Sequence, residues 1–368
     1  MSERAAVIGS GAAGCCAVLE LAALGHRPIW IRPWRTDSAS LWPESIRYDT
    51  LQLLDRWLDV DVVLNEGRYP VTAHGCCWGS DHLVWARSDR DQGGRRSSML
   101  INKQHLLHTL QQGALRCSDP IEAHLCHAHA VEQHWCLDLG LQGSLRVDLV
   151  IDASGVARAL VGTRADVNRH DVMGIMHWRL QRQGIDPSAS EPFTLLEACA
   201  DGWWYAACLG NDELSLTLCR EPDHSDQDDA VDQEALRKLL NRTVHLKQLI
   251  RDAGFRGYRP PVRLRTQVSS LELFAGWGAS PSVAPWLAAG DAALRHDPLS
   301  SYGTTQAIWS GLEAAQQAHR YLAGGGSACL DQYARTLASL RAESLHQRAE
   351  IYRSEPRFRL HPFWIKRS

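Results

Sequence analysis

A glycine-rich turn close to the start of the chain constrains the fold more than any other feature of the sequence. Residues 9–14 read G-S-G-A-A-G, a G-x-G-x-x-G pattern. A short apolar strand at residues 5–8 precedes this turn, and a helical stretch to about Leu24 follows it. A second strand, at residues 28–31, completes the unit. A strand, tight turn, helix and strand in this order predict a parallel α/β sheet.

Each glycine of this turn has a separate physical role. Gly9 permits the tight turn, Gly11 lets a pyrophosphate approach the backbone, and Gly14 lets the helix pack closely on the strand. The positive end of the helix then faces the phosphate charge. In this context the motif predicts dinucleotide binding, with Gly9, Gly11, Ala13 and Gly14 as cofactor-binding residues.

The acid that commonly ends the second strand of such a unit is missing. Arg32 stands there instead. An acid would bond the ribose hydroxyls, whereas an arginine could meet a ribose phosphate. We count Arg32 among the candidate cofactor-binding residues, and the N-terminal motif alone leaves FAD, NAD and NADP open.

Composition excludes several classes of protein. The chain has 368 residues and a formal net charge of -3, so a nucleic-acid footprint is not expected. Its eleven cysteines include no C-x-x-C pair, which favours buried thiols in a reducing compartment over a disulfide or zinc framework. No secretory signal and no bilayer-length apolar run are visible, so we predict a cytoplasmic protein without a membrane partner.

The middle of the chain predicts a second, strand-rich region. Residues 44–58 are amphipathic and residues 102–115 predict a helix. Alternating segments at residues 121–129, 134–139 and 145–152 predict an antiparallel meander, and residues 193–199 and 203–219 predict long strands. His124, Cys126, His127 and His129 alternate between two strand faces, so we predict no metal site there.

A second motif follows near the C-terminal end. A short apolar strand at residues 286–289 leads into Gly290-Asp291, then Pro298, and then Gly303, which opens a helix. This motif resembles the second FAD motif of glutathione-reductase-type flavoproteins. The resemblance implies that Asp291 bonds the ribityl chain and that the turn from Pro298 lies along the isoalloxazine ring. The positive end of the helix that begins at Gly303 would stabilise reduced flavin.

This resemblance implies a fold and a cofactor. The expected fold class is α/β, with a glutathione-reductase-type, Rossmann-like FAD-binding domain, an inserted mixed β-sheet substrate domain and C-terminal helices. The expected FAD-binding domain is discontinuous, and the remaining residues form a substrate domain and a C-terminal helical segment. The expected ranges are 1–62, 96–165 and 264–325 for FAD, 63–95 and 166–263 for substrate, and 326–368 for the C-terminal segment.

Further short motifs narrow the resemblance. The chain is similar to tryptophan-halogenase-like flavoproteins, and most similar to the LodB/GoxB type that matures tryptophylquinone enzymes. The residues that carry this similarity, in order, are Glu44-Ser45, Trp78-Gly79-Ser80, Asp152-Ala153-Ser154-Gly155, Gly202-Trp203-Trp204-Tyr205-Ala206, Arg353-Ser354-Glu355 and Pro362-Phe363-Trp364. The similarity adds Ser45, Lys103, Gly290, Asp291, Pro298, Gly303 and Thr304 to the predicted FAD-binding residues.

The same resemblance argues against halogenation. A flavin halogenase delivers hypohalous acid through a lysine that the family carries in its first hundred residues. This chain has no lysine there, and the nearest polar candidates are His74 and Ser80. The Trp-x-Trp-x-Ile-Pro signature is also absent. Oxygenation requires less from side chains, because the protein mainly shields and orients the reactants.

The sequence therefore predicts an FAD-dependent monooxygenase that hydroxylates a tryptophan of a partner protein, the precursor of a tryptophylquinone enzyme. Glu44 and Tyr302 are the candidate catalytic residues, and Trp203 and Tyr205, on one strand face, are the candidate substrate residues. Electrons would come from NAD(P)H or a flavin reductase. Two alternatives stay open: a monooxygenase or halogenase of a small indole or phenol, and a flavin-bearing assembly factor that binds the precursor without chemistry.

Overall fold

The computed structural model describes residues 4–33, 43–58, 68–90, 97–182, 191–210, 213–222, 233–257, 262–272 and 284–368. Its strands are β1 (Ala5–Ile8), β2 (Ile29–Arg32), β3 (Pro43–Arg47), β4 (Arg68–Pro70), β5 (Ala73–Cys77), β6 (Val84–Arg87), β7 (Ser98–Asn102), β8 (Pro120–Glu122), β9 (His127–Val131), β10 (His134–Asp138), β11 (Ser144–Val147), β12 (Leu149–Asp152), β13 (Val167–Arg182), β14 (Phe193–Cys199), β15 (Gly202–Cys208), β16 (Glu213–Arg220), β17 (Phe255–Gly257), β18 (Val262–Leu271), β19 (Trp286–Ala288) and β20 (Leu294–Arg295).

Its helices are α1 (Ala12–Ala23), α2 (Tyr48–Gln52), α3 (Lys103–Leu115), α4 (Gln233–Leu240), α5 (His245–Asp252), α6 (Gly303–Arg320), α7 (Ala328–Arg353) and α8 (Pro362–Ile365). A single π-helical turn, Tyr321–Gly325, connects α6 to α7. None of the described helices is long and apolar enough to cross a lipid bilayer.

The first layer is a parallel sheet with strand order β19-β12-β1-β2-β8. Every residue of β1 and β12 is buried, as expected for strands covered on both faces. Strands from both ends of the chain meet here, because β19 pairs with β12 in parallel register. The two glycine-containing turns therefore follow strands of one sheet and leave it at the same edge.

The second layer is a nine-stranded mixed sheet with the order β20-β18-β13-β16-β15-β14-β5-β6, in which β17 also pairs with β13. Helices α4 and α5 pack on one face through Leu236, Leu240, Leu246 and Ile250. The opposite face is turned toward the parallel-sheet layer and the C-terminal helices. The expected combination of a parallel-sheet domain, a mixed sheet and C-terminal helices is confirmed.

The amphipathic segment 44–58 contains a strand and one short helix. Glu44 lies in strand β3, which pairs antiparallel with β7, and the helix α2 that follows covers only residues 48–52. Leu51, Leu54 and Leu58 are all buried, so the apolar spacing marks a core segment that is helical only in part. The strand that pairs with β3, β7, is distant in sequence, and the pattern of residues 44–58 does not indicate this pairing.

The C-terminal segment closes the fold over the mixed sheet. Phe363 and Trp364 are buried, and the Trp364 indole N–H donates to the Cys199 carbonyl at 2.9 Å. Tyr352, near the end of α7, is fully buried in the same cluster. The predicted domain boundaries stay predictions, and those at 62/63 and 95/96 lie outside the described residues.

Candidate active site

The first glycine turn is fixed by close backbone contacts. Gly9 has φ +118°, and a Cβ there would lie 2.2 Å from the Ala153 carbonyl oxygen. A Cβ on Gly14 would lie 2.3 Å from the Gly9 carbonyl oxygen. Only glycine fits either position. Gly11, the N-cap of α1, has open space around it and lines a cavity together with Ala13.

The second glycine turn meets the first one directly. Gly290 has φ +62°, and a Cβ there would lie 2.9 Å from the Cβ of Ala13. Its N–H donates to Ser310 Oγ of α6 at 2.8 Å. Asp291 lines the same cavity as Gly11 and Ala13, and its carboxylate lies 3.3 Å from Arg295 Nε. The two motifs, about 280 residues apart, thus form adjacent walls of one site.

A buried arginine holds the second turn in place. Arg158 donates to the carbonyl oxygens of Ala292 at 3.0 Å and Asp291 at 3.2 Å, and to Ser269 Oγ at 2.9 Å. Its own backbone is left-handed, with φ 45°. Sequence reasoning missed this residue, because a single arginine after Ala-Ser-Gly carries no signal of its distant partners.

The loop before α6 forms the next part of the cavity. Asp297 caps a short 3₁₀ turn, Pro298–Ser300, by accepting from the Leu299 N–H at 2.9 Å. Pro298, Gly303 and Thr304 line the cavity, as does Tyr302, which is 40% exposed. The predicted loop residues are therefore brought together, and Tyr302 lies at the solvent-facing side of the cavity.

Helix α7 fixes this loop from behind. Asp297 Oδ2 accepts from Arg348 Nε at 2.7 Å and from the Tyr352 hydroxyl at 3.1 Å. Arg348 also contacts the buried carboxylate of Asp171. Tyr352 Oη in turn accepts from the Trp203 indole N–H at 3.1 Å. A hydrogen-bonded chain thus joins the loop to the mixed sheet, and no sequence motif predicts these contacts.

Glu44 lies in β3, close to the first turn of α6. Its carboxylate contacts Lys103 Nζ and accepts from Thr304 Oγ1, in the first turn of that helix. A negative charge is stabilised at a helix N-terminus. Ser45 also lines the cavity and shares a hydrogen bond with Ser98 at 3.2 Å. Glu44, Ser45 and Lys103 therefore face one cavity.

Arg32 does not line this cavity, and it is already paired. Its guanidinium contacts the Glu122 carboxylate of the neighbouring strand β8 and lies 5.5 Å from the centre of the Trp30 ring. The acid that β2 lacks is thus supplied at the same sheet edge by Glu122. A role for Arg32 at the cofactor stays a prediction.

The floor of the cavity is one face of the mixed sheet. Strand register places Leu196, Tyr205 and Thr217 side by side in one row across β14, β15 and β16. The next row contains Trp203, Cys219, Ile175 and Leu264. All of these residues line the cavity, which has a volume of about 650 Å³.

The tryptophan-rich strand β15 divides as strand alternation predicts. Trp203 and Tyr205 face the cavity, whereas Trp204 lies on the opposite face and stacks on Trp178, with ring centres 5.6 Å apart. The Tyr205 hydroxyl is buried and makes no hydrogen bond of good geometry to any described residue. Burial raises its pKa, and the nearby Ser45 acts weakly in the opposite direction.

No group of three potential metal ligands occurs in the described part of the chain. His124 and Cys126 precede strand β9, and His127 and His129 lie within it, all exposed to solvent.

The sequence matches no family model and no curated protein. Solved structures share the fold over its whole length. The flavin-dependent halogenase CmlS is 19% identical with a TM-score of 0.80, covering all of this chain and 68% of its own. The myxobacterial chondrochloren halogenase CndH, an FAD-dependent halogenase, is 16% identical with a TM-score of 0.79, covering 100% and 86%.

A third neighbour has a different activity. QhpG, described as a peptidyl tryptophan dihydroxylase essential for tryptophylquinone cofactor biogenesis, is 19% identical with a TM-score of 0.66. The match covers all of this chain and 79% of QhpG. These similarities establish that the chain has the fold of the flavin-dependent halogenases and their hydroxylating relatives.

Proposed function

We propose that the protein is an FAD-dependent monooxygenase that hydroxylates a tryptophan side chain of a partner protein, during biogenesis of a tryptophylquinone cofactor. The observation that carries this proposal is the single cavity that joins both glycine turns to an aromatic sheet face. The finer likeness to the LodB/GoxB type rests on the short motifs of the sequence. The QhpG neighbour shows that this fold can support hydroxylation of a peptidyl tryptophan.

The residues present fit FAD. Gly9 and Gly14 hold the turn against neighbouring backbone, and the open position of Gly11 leaves the backbone of the turn available to a pyrophosphate. Asp291 is placed to bind the ribityl hydroxyls, next to Gly290. Pro298, Gly303, Thr304, Ser45 and Lys103 line the same cavity and would hold the flavin ring. Reduced FAD would supply the activation of O₂, with NAD(P)H or a flavin reductase as the electron source.

The chain's own residues would then orient the ring of the substrate and exclude water. Trp203 and Tyr205 offer an apolar, partly hydrogen-bonding surface for an indole, and Ile175 and Leu196 complete the wall. Glu44, held by Lys103 and Thr304 at the helix N-terminus, would hold that edge of the flavin site. Tyr302 would shield the mouth of the cavity.

Reconstitution and co-expression test this proposal. The protein is co-expressed with a protein encoded by a neighbouring gene, or purified, loaded with FAD and mixed with that protein and a reductase. In either format we expect oxygen to be added to one tryptophan, seen as a mass gain on one peptide. Trp203→Ala should reduce this gain while FAD stays bound. Protein that takes up no FAD would contradict the proposal at its first step.

A second candidate is a monooxygenase or halogenase of a small indole or phenol. Two observations favour it: the high TM-scores of the halogenases, and a lysine in the cavity, Lys103. The Lys103 ammonium is bound to Glu44, which leaves it poorly placed to carry a halogen. Product analysis in chloride and bromide buffers separates the candidates. We expect oxygenated products only, and a brominated indole would favour the halogenase.

A further inference from the structure

One histidine on the cavity floor has no part in the function proposed so far. His74 lies in β5 and lines the cavity beside Gly75 and Cys76. Its Nδ1 shares a 2.8 Å hydrogen bond with Thr194 Oγ1 on the neighbouring strand β14. Thr194 is buried, so this bond fixes the ring and leaves Nε2 as the nitrogen available to a ligand.

The surroundings keep this imidazole uncharged. Partial burial lowers the pKa of His74 below its ordinary value of 6.5, and the carboxylate of Asp89, beyond β6, opposes that shift. The titratable groups on its face of the sheet include the thiols of Cys76 and Cys219 and the Tyr205 phenol, and burial raises the pKa of all three. His177 lies on the same face, and burial lowers its pKa. These groups are uncharged at pH 7, as is His74, which can therefore accept a proton.

We propose that His74 is the catalytic base of the hydroxylation, accepting on Nε2 the proton that the aromatic ring of the substrate loses. This inference rests on the proposed function. In the tautomer required, Nδ1–H donates to Thr194 Oγ1 and the Nε2 lone pair faces the cavity.

The step balances as follows. O₂, the two electrons of reduced flavin and two protons would supply a hydroxyl to a ring carbon, and the second oxygen would leave as hydroxide, which takes up a proton to become water. Two ring electrons form the new C–O bond. The proton on that carbon then moves to His74 Nε2, which restores the aromatic ring, and His74 returns the proton to solvent.

A second histidine on the same sheet provides a matched control. His177, in β13, shares a 3.0 Å hydrogen bond through Nδ1 with Thr217, just as His74 does with Thr194. His177 is only 2% exposed and does not line the cavity. The two residues thus have the same local chemistry, and they differ in access to the cavity.

The test compares His74→Gln with His177→Gln, in FAD-loaded enzyme with a flavin reductase and NADH. The probes are N-acetyl-L-tryptophanamide and a co-expressed protein encoded by a neighbouring gene. Oxygen incorporation is measured by mass spectrometry. We expect His74→Gln to lower the hydroxylation rate by roughly 10²–10⁴-fold. FAD retention and flavin reduction should be unchanged. His177→Gln should keep the wild-type rate.

Two further readouts separate catalysis from structure. The wild-type rate should fall as the pH drops through the pKa of His74, below 6.5, because the protonated ring cannot accept a proton. The fall in rate at acidic pH should be absent in His74→Gln. Free imidazole should partly restore the rate of His74→Ala.

Three outcomes would contradict these ideas, and they are distinguishable. A His74→Gln enzyme whose hydroxylation rate is within about threefold of wild type overturns the role of His74. A His74→Gln enzyme whose rate still falls at acidic pH does the same. A His74→Gln protein that loses FAD shows a structural role instead. Wild-type enzyme that hydroxylates neither probe overturns the proposed function itself.

Discussion

The two walls of the cavity are built in different ways. The wall from the parallel sheet consists of tight turns. Gly9 and Gly14 approach other backbone atoms, and Gly290 approaches the Cβ of Ala13, so closely that no side chain fits. The wall from the mixed sheet consists of side chains, and their positions depend on strand register and on the C-terminal helix. The first wall is specified by local backbone geometry, and the second by contacts between distant segments.

This difference has a consequence for how each wall tolerates substitution. Backbone approaches at 2.2–2.3 Å leave no way to accommodate a methyl group except by moving the turn. A side-chain wall can repack at modest cost when volume is conserved. We therefore expect the glycine wall to fail abruptly and the aromatic wall to fail gradually.

Gly9→Ala should have the largest effect. The new Cβ would overlap the Ala153 carbonyl, and φ +118° is strained for alanine, so we expect a loss of more than about 4 kcal/mol in unfolding free energy. Urea unfolding of the FAD-free protein measures this loss. Gly11→Ala is the control, because nothing lies within 4 Å of the added Cβ. Equal stability of the two variants would show that the turn is more plastic than its backbone contacts indicate.

Arg348→Met should come next. Removing the guanidinium leaves the buried carboxylates of Asp171 and Asp297 without this partner, which costs about 3–5 kcal/mol for a buried pair. The exposed Arg353→Met on the same helix should change stability by less than about 0.5 kcal/mol. If both variants have the same unfolding free energy, helix α7 contributes little to holding the loop at Asp297.

The positions of the two glycine turns in the fold follow from the sequence for a physical reason. A turn that demands glycine at fixed spacing leaves its mark on adjacent residues, so the contact of Ala13 with Gly290 follows once both motifs are found. The bonds from Arg158, Arg348 and Tyr352 leave no such mark, because their partners lie 50 or more residues away. The position of Glu44 was unpredictable for the same reason. Its contact with Thr304 of α6 depends on the pairing of β3 with β7, which the residues next to Glu44 do not indicate.

Asp291→Asn tests whether the second turn binds cofactor. We expect FAD retention to weaken by about 1–3 kcal/mol, as for a lost charge-assisted hydrogen bond, with the visible flavin absorbance lost on dialysis. Arg295→Met is the matched control, since Arg295 is the ion-pair partner of Asp291 in the described structure. Should Arg295→Met release FAD equally, Asp291 would act through its ion pair and not through the ribityl chain.

Tyr205→Phe should give the smallest change and the sharpest distinction between the two walls. The Tyr205 hydroxyl is buried without a hydrogen bond of good geometry to any described residue. A buried hydroxyl that has no partner costs free energy, so its removal should leave the FAD-free protein as stable as wild type, or up to about 1 kcal/mol more stable.

If the same hydroxyl binds the substrate, its removal should weaken substrate affinity by about 1 kcal/mol, measured as a rise in the concentration of substrate needed for half-maximal hydroxylation. Stability and affinity would then change in opposite directions at one residue, which is the behaviour of a binding group. Tyr69→Phe is the control, because Tyr69 packs in the same cluster as Tyr205 but does not line the cavity. A Tyr205→Phe variant that loses stability would instead show that the hydroxyl supports the sheet, and the aromatic wall would then be structural at this position.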